Sequence, residues 1–324
     1  YFYLIKFYLN HNDKVVKELE PEAINRCKSW NRSFCREIFT ESQIAHLLRL
    51  SKLVDVLWKE WSKEQQQLRL RTTDPLPVWE DPKRNSEDAW TPLRFKDQVQ
   101  EQEVYGKNVS NANARIRLKW AMDYWVSLWF WPLSETNSLP TRDSWLLELS
   151  MILGDLEQGI TPEIGQGNIF AETKPKQLAV NFSDRHGFVN VQKLIAEFDS
   201  LKQVELISKR IRPLHWDLEF ADLLQNGGFD LIVGNPPWLK VEWEEKDFIG
   251  DYDPMVLIRK VSASELTKRR SESLSLNSEI RSYYLEGYEE KNGTKQFLNA
   301  ITNYPLLKGT KSNLYKCFLP LTWR

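Results

Sequence analysis

The sequence predicts an α/β fold in which a mainly α-helical region precedes a sheet-bearing one, on three observations. Ile44, Leu47, Leu48, Leu50, Leu53, Val54, Leu57 and Trp58 keep the three-four spacing of an amphipathic helix. Residues 72–92 carry Pro75, Pro77 and Pro82 among charges and read as a linker. Phe229 to Val233 is an apolar run with Asp230 inside it, stopped by Gly234-Asn235-Pro236-Pro237, so it reads as a short buried strand ending in a rigid turn.

Three regions follow. Residues 1–153 read as helical around the proline-rich linker, with Thr40 and Ser42 offering N-cap hydroxyls to the long helix. A second long helix is expected from Asn113 to Trp131, ended by Pro132. It joins basic Arg115, Arg117 and Lys119 to an aromatic stripe of Trp120, Tyr124, Trp129 and Trp131. Such a pairing can grip single-stranded or flipped DNA; helical spacing favours the other reading, aromatics in the core and charges in solvent. After Pro140-Thr141, with Asp143 in the first turn, Trp145, Leu146, Leu147, Leu149 and Ile152 mark a further helix.

Residues 154–205 read as a loop-rich connection and a helix (Val191, Leu194, Ile195, Phe198). Gly165-Gln166-Gly167 in this stretch lacks a good preceding strand and reads as a turn, and Glu172-Thr173-Lys174 as a chance triplet. Residues 206–324 hold the strand and its turn, then a charged helical stretch broken at Asp251-Tyr252-Asp253-Pro254. Within it, Leu266 to Ser275 reads as solvated.

Composition narrows the classes. Apolar residues at 41% and charged residues at 27% are those of a soluble globular chain. A net charge of −1 excludes a global basic field and leaves only local patches for nucleic acid. Fourteen tryptophans fit large packed interfaces or stacking surfaces. Cys27, Cys35 and Cys317 have no metal-ligand spacing, and sparse cysteines without a signal peptide predict a reducing cytoplasm. No apolar run approaches the roughly 20 residues of a membrane span.

The turn after the predicted strand carries the chemistry. Ligands in open α/β sheets sit at the carboxyl ends of strands. Here that place offers the Asn235 carboxamide, carbonyls at Pro236 and Pro237 with no competing N–H, and the face of Trp238. Such a set suits a flat ring bearing an exocyclic amine: the amide and a proline carbonyl accept from the amine, and the indole stacks on the ring. Gly234 permits close approach, and Asp230 frames the loop from the strand side.

Asn235-Pro236-Pro237-Trp238 resembles the catalytic tetrapeptide of the amino-methyltransferases that modify adenine N6 in DNA, in particular the large restriction and phage-defence enzymes. The likeness extends to His215-Trp216-Asp217-Leu218-Glu219-Phe220 before it and to Tyr304 to Gly309, Asn313-Leu314-Tyr315 and Phe318 after it. Leu118 to Trp125 with Trp129-Phe130-Trp131 is a looser match. The resemblance implies a partial Rossmann-like fold dependent on S-adenosylmethionine, a partner duplex whose target adenine is flipped out, and a defence system's other subunits as candidate partners. It assigns catalysis to Asn235, Pro236, Pro237 and Trp238, and base contact to Trp238, Gly234 and Asp230. Cytosine N4 shares the amine chemistry, and a silent DNA-binding or scaffold subunit is the reading from another class. His215 and Glu219 read as structural rather than as bases. No metal is called for.

The family's cofactor turn, acidic-Pro-x-Cys-Gly-x-Gly, is not found, nor is the acidic residue that would hold the donor's ribose. The chain starts at Tyr1 and stops in a run, Leu319 to Arg324, that reads like the middle of a domain. The expectation is a fragment that carries the base-handling half and binds the donor weakly by itself.

Overall fold

The computed structural model describes residues 11, 13–74, 91–99, 101, 113–155, 190–259, 261–310 and 313–322. The proline-rich linker, apart from its ends, and Gly165-Gln166-Gly167 lie outside the described residues. Among those described, the elements are helices and turns, and no strand is present.

The N-terminal part is built on one long helix. Helices α1 (Lys14–Leu19) and α2 (Pro21–Trp30) lead through a π-helical turn, Asn31–Arg36, into α3 (Glu41–Thr72). Thr40 starts α3 with a full capping box: its hydroxyl accepts from the Gln43 N–H, and the Gln43 side chain accepts from the Thr40 N–H, both at 3.2 Å. Thr40→Ala should therefore lower stability by about 1 kcal/mol in urea unfolding, while Thr40→Ser should be near neutral. Helix α4 (Leu93–Val99) follows, then α5 (Ala114–Ser127) and α6 (Arg142–Leu153), which pack on α3 and on each other.

The second long helix stops sooner than Pro132. Past Ser127 the amides of Trp129 and Phe130 bond back three residues, to Val126 and Ser127. The chain then turns so that both rings meet Phe297 of a later helix, against which Gly293 lets the backbone come close: a Cβ there would lie 2.7 Å from the Trp129 carbonyl. The aromatic stripe is core, with Tyr124, Trp129 and Trp131 buried. The charges beside it are paired rather than solvated: Arg115 bonds Glu219 at 2.8 Å and Lys119 pairs with Asp123.

Much of the tryptophan content is explained by this core. Trp30 stacks on Phe34, which meets Trp145 edge-on at 5.6 Å. Buried Arg142 clamps the π-helical turn through the carbonyls of Phe34, Glu37 and Ile38, with its guanidinium 4.0 Å from the centre of the Phe39 ring.

Helices α7 (Val191–Glu197) and α8 (Asp199–Ile211) add a layer on α6 and α5. Two short helices, α9 (Trp216–Glu219) and α10 (Ala221–Gln225), then lead to the predicted strand. Beyond it come α11 (Glu245–Tyr252), α12 (Met255–Ile258), α13 (Ala263–Leu276), α14 (Ser278–Asn299) and, after a 3₁₀ turn at Pro305–Leu307, α15 (Leu314–Thr322). The expected break falls at Asp253 and Pro254.

Two expectations need correction. Leu266 to Ser275 lies in α13 and is solvated only in part: Thr267, Lys268, Ser271, Glu272 and Ser275 are exposed, but Leu266 and Leu274 are buried, Arg269 binds Asp253 and Glu265, and Arg270 binds Glu245. The predicted buried strand is neither buried nor a strand. Phe229, Leu231, Ile232 and Val233 are 40%, 78%, 49% and 86% exposed. A strand exists only through ladder bonds to a neighbour, and no described segment lies beside this one to supply them. The Rossmann-like sheet expected around it is accordingly not seen among the described residues.

Candidate functional site

The segment leading to Asn235 is fastened to the helical part by a set of polar bonds. One face of α3, at four-residue intervals, holds α9 and α10. Trp61 Nε1 donates to the Leu218 carbonyl at 2.8 Å, and Gln65 spans the Glu219 carbonyl and the Asp222 N–H. Arg69 closes a two-pronged pair on buried Asp222 at 2.5 and 2.9 Å. From α5, Arg115 holds Glu219, and Asp123 Oδ1 lies 2.6 Å from His215 Nε2. Burial pushes the Asp123 carboxyl up, but bonds from His215, Lys119 and Ser208 outweigh it and hold the group below its usual range.

His215 and Glu219 are thus turned inward as fasteners, in agreement with their structural reading. Trp61, Gln65, Arg69 and Asp123 are fasteners that sequence reasoning missed. The signal for the first three was the i, i+4, i+8 spacing on a helix whose apolar positions drew the attention.

Helix α10 then stops sharply. The Gly228 N–H bonds the Leu223 carbonyl at 2.9 Å, the 6→1 closure of a Schellman-type end, with Gly227 at φ +105°. Phe229 meets Phe220 edge-on, and Phe220 stacks on Trp216, so a small aromatic cluster roots the segment. From there Asp230 to Trp238 runs over the surface. Asp230, Gly234, Asn235 and Pro237 are exposed and Pro236 is half-buried. Trp238 is 74% exposed.

The downstream segment closes on this turn. The 3₁₀ turn and Gly309 (φ +79°) precede α15, whose first residue, Leu314, donates its N–H to the Leu239 carbonyl at 3.0 Å. Tyr315 then stacks on Trp238 with ring centres 4.9 Å apart and planes at 25°. Lys240 and Lys316, next to this junction, have no ion-pair partner among the described residues, unlike Arg69, Arg115 and Lys119.

The order of these pieces along the chain is that of one family of enzymes. The family model of the Eco57I restriction-modification methylase matches residues 121–319, more than half of the chain. The chain belongs to that family. The methylase match begins inside α5, beside Asp123, and runs through the His215 fastening and the Asn235 turn into α15, ending at residue 319. No curated protein and no solved structure matches the chain.

Methylases of restriction-modification systems act on DNA and in general take the methyl group from S-adenosylmethionine. Among the described residues no strand ends in a glycine turn followed by an acidic residue, the arrangement expected to hold that donor. Nor does any group of three or more His, Cys, Asp or Glu among them form a metal site. No helix is long and apolar enough to cross a membrane among the described residues.

Proposed function

We propose that this methylase modifies adenine at N6, with Asn235, Pro236, Pro237 and Trp238 handling the base. The observation that carries the reading is a turn whose carboxamide and indole face solvent on a fastened base: Asn235 is exposed and Trp238 is 74% exposed. Groups that served only packing would be turned inward, as His215 and Glu219 are.

The exocyclic nitrogen of adenine is a poor nucleophile because its lone pair is delocalised into the ring. Asn235 Oδ1 and the Pro236 carbonyl would accept its two hydrogens. That draws the nitrogen toward tetrahedral geometry, concentrates the lone pair, and opposes the positive charge that grows on nitrogen as it is alkylated. Pro237 stiffens the turn so that these dipoles need little reorganisation. Gly234 leaves room for close approach, and Asp230 borders the site. Because the target atom lies inside the duplex, the base has to be rotated out, and Trp238 is its stacking surface. Lys240 and Lys316, without an ion-pair partner among the described residues, suit backbone phosphates. This assigns the chain to a cytoplasmic restriction or phage-defence system.

The test is the product. Unmethylated DNA treated with the whole protein and S-adenosylmethionine, then digested to nucleosides, should yield N6-methyladenine by mass spectrometry. N4-methylcytosine would overturn the choice of base, and no methylated nucleoside at all would favour a silent subunit.

Trp238 provides a second check. Trp238→Ala should weaken binding of the extruded state by roughly 1–3 kcal/mol, and Trp238→Phe should be mild because a π-face remains. The loss should shrink on a mismatched target, where less unpairing work is needed. Unchanged turnover of Trp238→Leu on paired and mismatched DNA alike would reduce the ring to a packing role.

A further inference from the structure

We infer that Tyr315 is a positioning residue for base extrusion: it backs the Trp238 indole and so fixes which face of that ring receives the base. The inference rests on the proposed role of Trp238 and goes beyond it by adding a partner from a distant part of the chain.

The geometry of the stack decides the arrangement. Ring centres at 4.9 Å and planes at 25° leave no space between the two side chains. Bases stack at about 3.4 Å, so a base held between two rings would need them about 7 Å apart. The base therefore cannot be sandwiched by this pair. Yet Trp238 is 74% exposed with Tyr315 on it, which leaves the opposite face of the indole open to solvent. A base on that face completes a three-layer stack of base, Trp238 and Tyr315.

The pair is held rather than incidental. Pro236 and Pro237 stiffen the backbone just before the indole, and the bond from the Leu314 N–H to the Leu239 carbonyl ties the chain just after it to the start of α15. Asn313 caps that helix, its side-chain oxygen 3.4 Å from the Tyr315 N–H. An indole free to rotate would offer the base a surface only part of the time. One held by a neighbouring ring offers it continuously, so Tyr315 should act on the extruded state and not on the chemistry at the amine.

The test uses the whole protein on two duplexes: one with 2-aminopurine at the target position, located by sequencing methylated DNA, whose emission reports extrusion, and one with adenine there, which carries the 6-amine and reports kcat/KM. Tyr315→Leu should cut the 2-aminopurine emission that marks extrusion and lower kcat/KM about tenfold, the worth of one aromatic pair. Tyr315→Phe should restore both to within about twofold, which a loss of folding or of the hydroxyl would not. In a Trp238→Leu background, Tyr315→Leu should add almost nothing, since it works through the indole.

Faster turnover of Tyr315→Leu would mean that the ring blocks the site, and an undiminished effect in the Trp238→Leu background would mean that it acts elsewhere; either overturns the inference. Asn235→Ala separates the two levels. If that variant turns over like wild type, the catalytic turn itself is wrong. If it is inactive while Tyr315→Leu is unaffected, only the positioning role falls.

Discussion

Asn235→Ala is expected to lower the rate of methyl transfer by about 10²–10³, the usual cost of losing one preorganised dipole that acts on transition-state charge. Two further outcomes make the result specific. DNA affinity should stay near wild type, because the carboxamide engages the amine mainly as charge develops on it. Stability should change by no more than about 0.5 kcal/mol, as for an ordinary surface substitution, because Asn235 is exposed. Asn235→Asp should keep much of the rate, because a carboxylate also accepts from the amine and opposes the positive charge that grows on it. The measurements are label transfer from S-adenosylmethionine to DNA, a gel-shift titration and a urea melt on the same protein. An Asn235→Ala variant with turnover close to wild type would show that this turn is not the catalytic one.

How far the fold could be read from the sequence depended on whether a signal was local. The amphipathic run from Ile44 and the Thr40 cap are local, and α3 begins where they place it. The end of α5 is not local: Trp129 and Phe130 leave the helix to meet Phe297 and Gly293, partners that lie far along the chain. Composition misled at α13. Its Lys, Arg, Ser and Glu hid Leu266 and Leu274, eight residues apart on one helix face, and the acids that pair with Arg269 and Arg270 lie partly on other elements. For Phe229 to Val233, apolar residue types express a preference for extended, buried backbone, whereas a strand needs a neighbour that no property of the segment supplies.

The candidate site divides in the same way. Asn235, Pro236, Pro237 and Trp238 stood out because their functional groups, in that order, form a usable surface without reference to the rest of the chain. Their supports could not be seen so directly. Arg69 reaches Asp222 and Asp123 reaches His215 only once α3, α5 and the two short helices have packed together. Tyr315 was legible as part of a resemblance, but its contact with Trp238 belongs to the three-dimensional structure.

The pH dependence of stability should be shallow in the wild type and steeper in its variants, because buried acids and bases oppose each other across one window. Glu148 lies between α5, α6 and α8, and its Oε2 accepts from Tyr124 at 2.6 Å and from Ser200 at 2.7 Å. Burial raises its carboxyl to about 7, with those two bonds acting against the rise. Glu289, which accepts from the Leu133 N–H at 2.8 Å, is also raised to about 7, by burial first and by Glu286 and Glu20, against the pull of Leu133 and Arg210.

A carboxyl raised in this way contributes stability that is fully present below its unfolded value, near 4.5, and is lost as pH rises through about 7. The imidazoles run in the opposite sense. Burial lowers His11 and His46 to about 4, helped at His46 by Arg49 and resisted by Asp155, so their contribution is full above about 6.5 and fades as pH falls. Each displacement is worth roughly 3 kcal/mol, two in each direction, so these four largely offset one another between pH 4.5 and 6.5; Glu64, raised by burial first and by Glu60, adds a slight tilt in the sense of the carboxyls. Asp123 titrates below this window, being held under its usual range.

Removing one member should expose the rest. Glu148→Gln keeps an acceptor for Tyr124 and Ser200 but cannot ionise, so it should gain about 3 kcal/mol on wild type between pH 4.5 and 7.5. His46→Gln keeps a donor toward Ser150, 2.6 Å from the imidazole, and should lose a similar amount over the same range. Urea unfolding of the three proteins at four pH values measures both slopes. Parallel curves for wild type and Glu148→Gln would mean that the three-helix carboxyl is ionised throughout, its bonds from Tyr124 and Ser200 having outweighed its burial.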